Sequence, residues 1–212
     1  MGWPMNTPAL NAVLFSLSGC LVDFGARASS LNNTAESTSP NIQPAIADLA
    51  QPIRGAVSVA QQLQSQAITC AWVETLGPTL TKVLSTQLPA DLPGITLDSG
   101  RSLPAPDSLW QALATLNAPS IHGCILVSGN PLVLQAGLNA GLWTVGLAVC
   151  GSLCGYSQEA WQALPQGRRD DLRSTAILTL YRMGVHSVID QITDVPECLA
   201  DITQRRVKGE KP

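Results

Sequence analysis

The stretch LFSLSGCLVDFG, residues 14–25, admits two incompatible readings. After the apolar run from Ala9 to Phe15, LSGC has the form of a processing box in which a signal is cut ahead of a cysteine, here Cys20. The alternative is a buried strand running into a glycine-containing turn, the place where an α/β protein carries its ligand-binding or reacting groups. Charge separates the two. An export signal opens with positive residues, and no Lys or Arg precedes Arg27. The strand reading follows, and with it the expectation of a cytoplasmic protein.

Working outward, 212 residues with 45% hydrophobic and 13% charged content suit one sizeable core, or one core with a small insert. A net charge of −3 and a pI of about 5.2 provide no positive field for nucleic acid or an anionic membrane. The basic tail QRRVKGEK reads as a solvated helix end, and no uncharged run reaches the roughly 18 apolar residues of a membrane span. Six cysteines, at 20, 70, 124, 150, 154 and 198, are scattered through apolar segments and read as small buried hydrophobes. Cys150 and Cys154 have neither a CxxC partner pair nor a histidine cluster, which argues against zinc.

Short apolar runs alternate with segments of helical period, the pattern of an α/β fold with a mainly parallel sheet flanked by helices. Strands are predicted at NAVLFSL (11–17), AITCAWV (67–73), GITL, HGCILVS (122–128), LWTVGLAV (142–149) and HSVID (186–190). Helices are predicted over PIRGAVSVAQQLQSQ, GPTLTKVLSTQL, the segment around Trp110 and PLVLQAGLNAG. A further helix is capped by Ser157, the next is ended by Gly184, and Pro196 opens the last. Residues 26–44, ARASSLNNTAESTSPNIQP, break this rhythm and read as a polar loop or disordered insert. The chain divides accordingly into a first strand and its loop (1–25), a polar insert (26–50) and the rest of the core (51–212).

The segment from GLNAGLWTVGLAVCGSLCGY to GVHSVIDQITDVPECLADI resembles the C-terminal half of phosphonoacetaldehyde hydrolase (phosphonatase), a branch of the haloacid dehalogenase superfamily. NAG, W-TVG, G-S-x-x-G, LP and the final VID strand occur together in the family's order. SGCLVDFGARA is similar to the family's first motif and its sequel, IRGAVSVAQQLQSQAIT to the approach to the second, and GRSLPAP to the third. The resemblance covers residues 11–25 and 51–206, and implies a Rossmann-like core with the helical cap absent or vestigial.

The resemblance implies a chemistry in which a cap lysine forms a Schiff base, an aspartate attacks phosphorus, and magnesium clamps the phosphoryl oxygens. This chain departs from it at each position. The nucleophile falls on Ser16, with Ser18 two residues on, and the two metal-binding aspartates fall on Gly129 and Val133. The phosphate-binding threonine falls near Trp72, or on Thr69 with a shift of three. The lysines are Lys82, Lys208 and Lys211, none of them where the family inserts its cap. Magnesium is implied by the family, but its ligands are missing here, so no cofactor is expected.

The strand ends would gather Ser16, Ser18, Cys20, Thr69, Cys70, Arg101, Ser128 and Asn130. Arg101 reads equally as an anion ligand or a surface residue, and Asp23 as a turn cap. Cys20 and Cys70 would approach each other above the sheet. His122 and His186 open strands at the opposite edge and read as structural, since a general base must lie within hydrogen-bond reach. Two functions stay open. One is a catalytically silent relative that acts by binding a protein partner or a second copy of itself, with Trp72 filling the vacated site or meeting the partner. The other is a protein, or a hydrolase of altered mechanism, that takes a small phosphate- or carboxylate-bearing ligand at Ser16, Ser18, Thr69, Arg101, Ser128 and Asn130.

Overall fold

The computed structural model describes residues 9–25, 49–98 and 100–212. The polar insert proposed for 26–44 therefore lies outside the described residues. Among those described, strands β1 (Ala12–Ser16), β2 (Cys70–Glu74), β3 (Gly94–Thr96), β4 (Cys124–Ser128), β5 (Trp143–Leu147) and β6 (Ser187–Ile189) form one sheet in the order β3-β2-β1-β4-β5-β6. Every pairing is parallel. Helices α1 (Ala56–Ser65), α2 (Pro78–Leu84), α3 (Asp107–Thr115), α4 (Pro131–Asn139), α5 (Gln158–Ala163), α6 (Gln166–Arg182) and α7 (Val195–Val207) supply the connections and the chain end. This is the Rossmann-like core that the alternating pattern implied.

All five residues of β1 are buried because the strand is covered on both faces, which is why it reads as an unbroken apolar run. Val13 and Phe15 join the α1 and α7 side chains on one face, while Ala12 and Leu14 join α3 and α4 on the other. Val13 lies opposite Cys70 on one side and Ile125 on the other. β1 is thus central, and cleavage ahead of Cys20 would delete it. Cys20 itself is 0% exposed, so its thiol is closed to lipid attachment in this fold. No helix among the described residues is long and apolar enough to cross a membrane.

Local chemistry sets the element ends. Ser157 Oγ accepts from Ala160 N at 3.1 Å to cap α5, and Gly184, with φ of 88°, lets the chain leave α6 in a left-handed conformation. Trp72 departs from expectation. It lies in the middle of β2 opposite Gly94, with its indole in the space that a Cβ on Gly94 would fill. It therefore packs into the core and over the sheet edge, and neither fills the crevice nor rims it.

The edge of the sheet at the strand N-termini carries a buried polar clamp. His186 Nδ1 accepts from Thr144 N at 3.0 Å, the ring lies 5.0 Å from that of Trp143, and Arg205 stacks 4.8 Å above Trp143 while donating to His186 O at 3.0 Å. His122 is exposed beside this edge, so both histidines stand far from the strand C-termini, as anticipated. Burial, then the Arg205 charge, pushes the His186 pKa below the usual histidine value. The unfolded chain then binds a proton at a higher pH than the folded one does, so stability falls as pH drops through about 6.5 and levels off below the folded pKa. Urea midpoints measured from pH 8 to pH 5 should show this loss, and His186→Gln should flatten it.

Candidate functional site

The order of the strands reverses between β1 and β4, and ligands of open α/β sheets bind in the crevice that opens there beyond the strand C-termini. Here the crevice is a cavity of about 440 Å³. At its floor Ser16 ends β1 and Ser128 ends β4, and Ser16 Oγ donates to Ser128 Oγ at 2.5 Å. Ser128 Oγ also accepts from Asn130 N at 3.0 Å. Asn130 starts α4, its Oδ1 accepting from Leu132 N at 2.9 Å. Each hydroxyl is thus committed within the protein, with Ser16 4% and Ser128 0% exposed.

One wall is a carboxylate that the sequence reading missed. Glu74 ends β2 and is 7% exposed. Its Oε2 accepts from Ser18 Oγ at 2.6 Å and Ser18 N at 3.1 Å, and its Oε1 from Thr75 N at 2.7 Å and Thr75 Oγ1 at 3.3 Å. These partners are neutral donors, the arrangement that makes a buried carboxylate tolerable without a cation. A signal existed: Glu74 closes the apolar run CAWV and is the single acid between residues 49 and 90.

The opposite wall is main chain. A Cβ on Gly129 would stand 2.5 Å from Cys150 O, 2.7 Å from Gly19 O and 2.8 Å from Gly151 Cα. Gly151 (φ 105°) and Gly19 (φ 71°) adopt left-handed conformations that only glycine takes at little cost, and Gly151 N donates to Phe24 O at 2.8 Å. The turns after β1, β4 and β5 therefore meet backbone to backbone. Val133 is 5% exposed, and Leu132, 57% exposed, lies at the rim with Leu76 and Leu97.

This geometry sorts the predicted residues. Ser16, Ser18, Gly129, Asn130 and Val133 border the crevice, and Ser128 joins them through Ser16. Thr69 precedes β2 at the far edge, where its carbonyl accepts from Val13 N, so it is no part of the site; Thr75 supplies the hydroxyl that was sought at Thr69 or Trp72. Arg101 also lies elsewhere. Its side chain is 74% exposed and pairs with Asp107, which starts α3, through Nη2–Oδ2 at 3.2 Å. Cys70 opens β2 at the opposite edge from Cys20, so the two do not meet above the sheet. Burial pushes Cys20 well above the usual thiol range and Cys70 and Cys150 up to about 12, which leaves them protonated and inert.

Charged side chains bordering the crevice are Asp23 and Glu74, both acids. The residues at the positions to which the resemblance assigns the magnesium ligands do not fit that ion. Gly129 brings no donor and has no room for one, Val133 is apolar, and Ser16 is bonded to Ser128. No three His, Cys, Asp or Glu side chains among the described residues gather into a metal site.

Comparison with known proteins sets this site in context. No family model matches the chain. The phosphonoacetaldehyde hydrolase of Bordetella pertussis is 29% identical over 172 residues, 79% of this chain and 62% of its own length. The chain spans less than two thirds of the length of the curated relatives it matches. A crystal structure 45% identical to this chain superposes with a TM-score of 0.85, covering 96% of this chain and 100% of its own. The phosphonoacetaldehyde hydrolase-like protein from Oleispira antarctica is 21% identical, with a TM-score of 0.81 and 97% of each chain covered, and shares the fold.

The glycine wall gives a direct expectation. Gly129→Ala should lower stability by about 1–3 kcal/mol, the usual cost of overpacking, and expose buried thiols to a thiol reagent in proportion. Guanidinium melts and reagent kinetics of Gly129→Ala beside Ser152→Ala, a change at the same cavity with no such contact, test it.

Proposed function

We propose that the chain is a hydrolase-like relative of phosphonatase in the haloacid dehalogenase superfamily that has lost hydrolysis and acts by binding a protein partner or a second copy of itself. The observation that carries this reading is Gly129. At the position to which the resemblance assigns a metal-holding aspartate, the main chain of residues 150 and 151 occupies the space that any side chain needs. The position assigned to the attacking aspartate is a hydroxyl engaged by Ser128, and among the described residues no cationic side chain borders the crevice. Phosphoryl transfer depends on cations that neutralise developing charge, so a site whose described border supplies none works against it. What such a crevice offers is its rim, where Leu132 stands exposed beside Leu76. Apolar surface of this kind marks contact sites when it extends over several hundred Å².

A second reading rests on the 2.6 Å hydrogen bond from Ser18 Oγ to Glu74 inside the same cavity. A hydroxyl beside a carboxylate is a nucleophile with a base, which suits hydrolysis of an uncharged ester better than of a phosphonate. Against it, four neutral donors already engage the Glu74 oxygens. The lack of a bordering cationic side chain among the described residues also weighs against a phosphate or carboxylate ligand in this crevice.

Purified protein given phosphonoacetaldehyde and Mg²⁺ should release phosphate at the background rate. Turnover that a chelator abolishes and Mg²⁺ restores would overturn the loss of hydrolysis. Turnover of a p-nitrophenyl ester that disappears in Ser18→Ala would select the second reading instead. The binding half has its own measurement. Light scattering across a concentration series should show self-association that Leu132→Glu weakens, or, for a monomer, that variant should lose a partner captured by the wild type.

A further inference from the structure

From Ser108 to Gln158 the sequence contains no Asp, Glu, Lys or Arg, and the 12 basic and 15 acidic residues of the chain all lie outside that stretch. Buried strands account for part of it, since every residue of β4 and β5 is enclosed and has no use for charge. Helices α3 and α4 are different. Each turns one side to solvent, where a helix of this kind normally carries its charges. On α6 and α7 it does so, with Asp171, Arg182 and Asp201 exposed. Helix α1 also lacks charge, but it shows Gln61, Gln62 and Ser65 to solvent. Helix α3 instead shows Trp110 and Ala114, one turn apart, and beyond its end Ile121 is exposed as well.

These side chains form one surface around the end of α4. Trp110, 46% exposed, donates from Nε1 to Ala140 O at 3.2 Å, so the one polar atom of the indole is used inside the chain and what reaches solvent is hydrocarbon. At the next residue, Ile121 Cδ1 lies 3.7 Å from where a Cβ on Gly141 would stand. Polar neighbours are bonded within the chain too. Thr115 Oγ1 donates to Gln111 O at 2.9 Å, Asn139 Nδ2 to Pro104 O at 2.8 Å, and Gln135 Nε2 to Asn139 Oδ1 at 3.2 Å. An exposed aromatic ring in a surface depleted of charge is the composition of the core of an interface.

We propose that the α3–α4 face is where a second copy of this chain docks, through a two-fold contact centred on Trp110. The inference rests on the self-association reading above and gives it a surface. Charge decides the occupant. A partner recognised by its charge finds nothing to pair with on this face, whereas a two-fold contact sets each central residue beside its own copy, where any charge would meet its like. In a chain of net charge −3, this face lets two copies meet without opposing acids. The end of α4 that Trp110 covers lies roughly 12 Å along the helix from Leu132 at the crevice rim, so the two are separable by mutation.

Sedimentation velocity of the full chain over a concentration series tests this. The wild type is expected to pass from monomer to dimer as concentration rises, and Trp110→Glu to weaken the dimer about 30-fold or more, the loss that a central tryptophan carries. Ala114→Arg leaves the Trp110–Ala140 bond in place and should weaken the dimer as well, which keeps the test intact should Trp110→Glu fail to fold. Leu132→Glu should weaken it less than either. A dimer unchanged in the folded variants at 110 and 114, or one lost in Leu132→Glu and kept in Trp110→Glu, would overturn this surface and leave self-association standing. A wild type that stays monomeric throughout would overturn the dimer itself, and Trp110-dependent binding of that monomer to neutral phosphatidylcholine vesicles would give the face to a lipid surface instead.

Discussion

The contact of Gly129 with Gly151 and Gly19 is the constraint on which the rest of the site depends. Three turns, following β1, β4 and β5, reach the same point above the sheet, and their main chains approach more closely than any side chain permits. That approach seats the loop from Cys150 to Gly155 and closes one wall of the crevice. Gly151 N then bonds to Phe24 O and Ser152 N to Gly129 O at 3.2 Å, so the close packing is also how these turns satisfy their polar groups.

Once that wall is main chain, the electrostatics of the crevice follow. The remaining polar groups are hydroxyls, an amide and two carboxylates, each arranged to satisfy its neighbours. Ser16 and Ser128 satisfy one another across the switch point, and Ser18 with Thr75 surrounds Glu74. Such a network holds β1, β2 and β4 in register at their ends. A fold that supports phosphoryl chemistry in some proteins can keep its scaffold while the groups at the strand ends serve the scaffold itself.

Strand and helix order was legible because buried parallel strands are short apolar runs, and the helices between them keep their period. The caps at Ser157 and Gly184 were equally plain, since each acts within a few residues of itself. The second strand was less so. AITCAWV was placed at 67–73, whereas the pairing holds Cys70–Glu74, and this small displacement moved attention to Thr69 and Trp72 and away from Glu74 and Thr75. Side chains alternate along a strand and only its end faces the crevice, so an uncertain boundary is enough to misplace a site. Arg101, which the sequence left open between an anion ligand and a surface residue, proves to be the surface residue. Its partner Asp107 is only six residues away, but the turn that joins them depends on how the chain enters α3.

By itself, the sequence determined a parallel α/β core and which residues stand where the resemblance assigns the family's carboxylates. Both are properties of residue identity and local period, which survive without coordinates. Tertiary structure alone decided that Gly129 has no room for a side chain, that Glu74 is sheathed by Ser18 and Thr75, that Cys70 lies at the opposite edge from Cys20, and that Arg169 Nε is buried without an acceptor. Each of these is set by groups brought together from distant parts of the chain, or by a donor that found none there, and the register of a sheet is fixed only when all its strands pack at once.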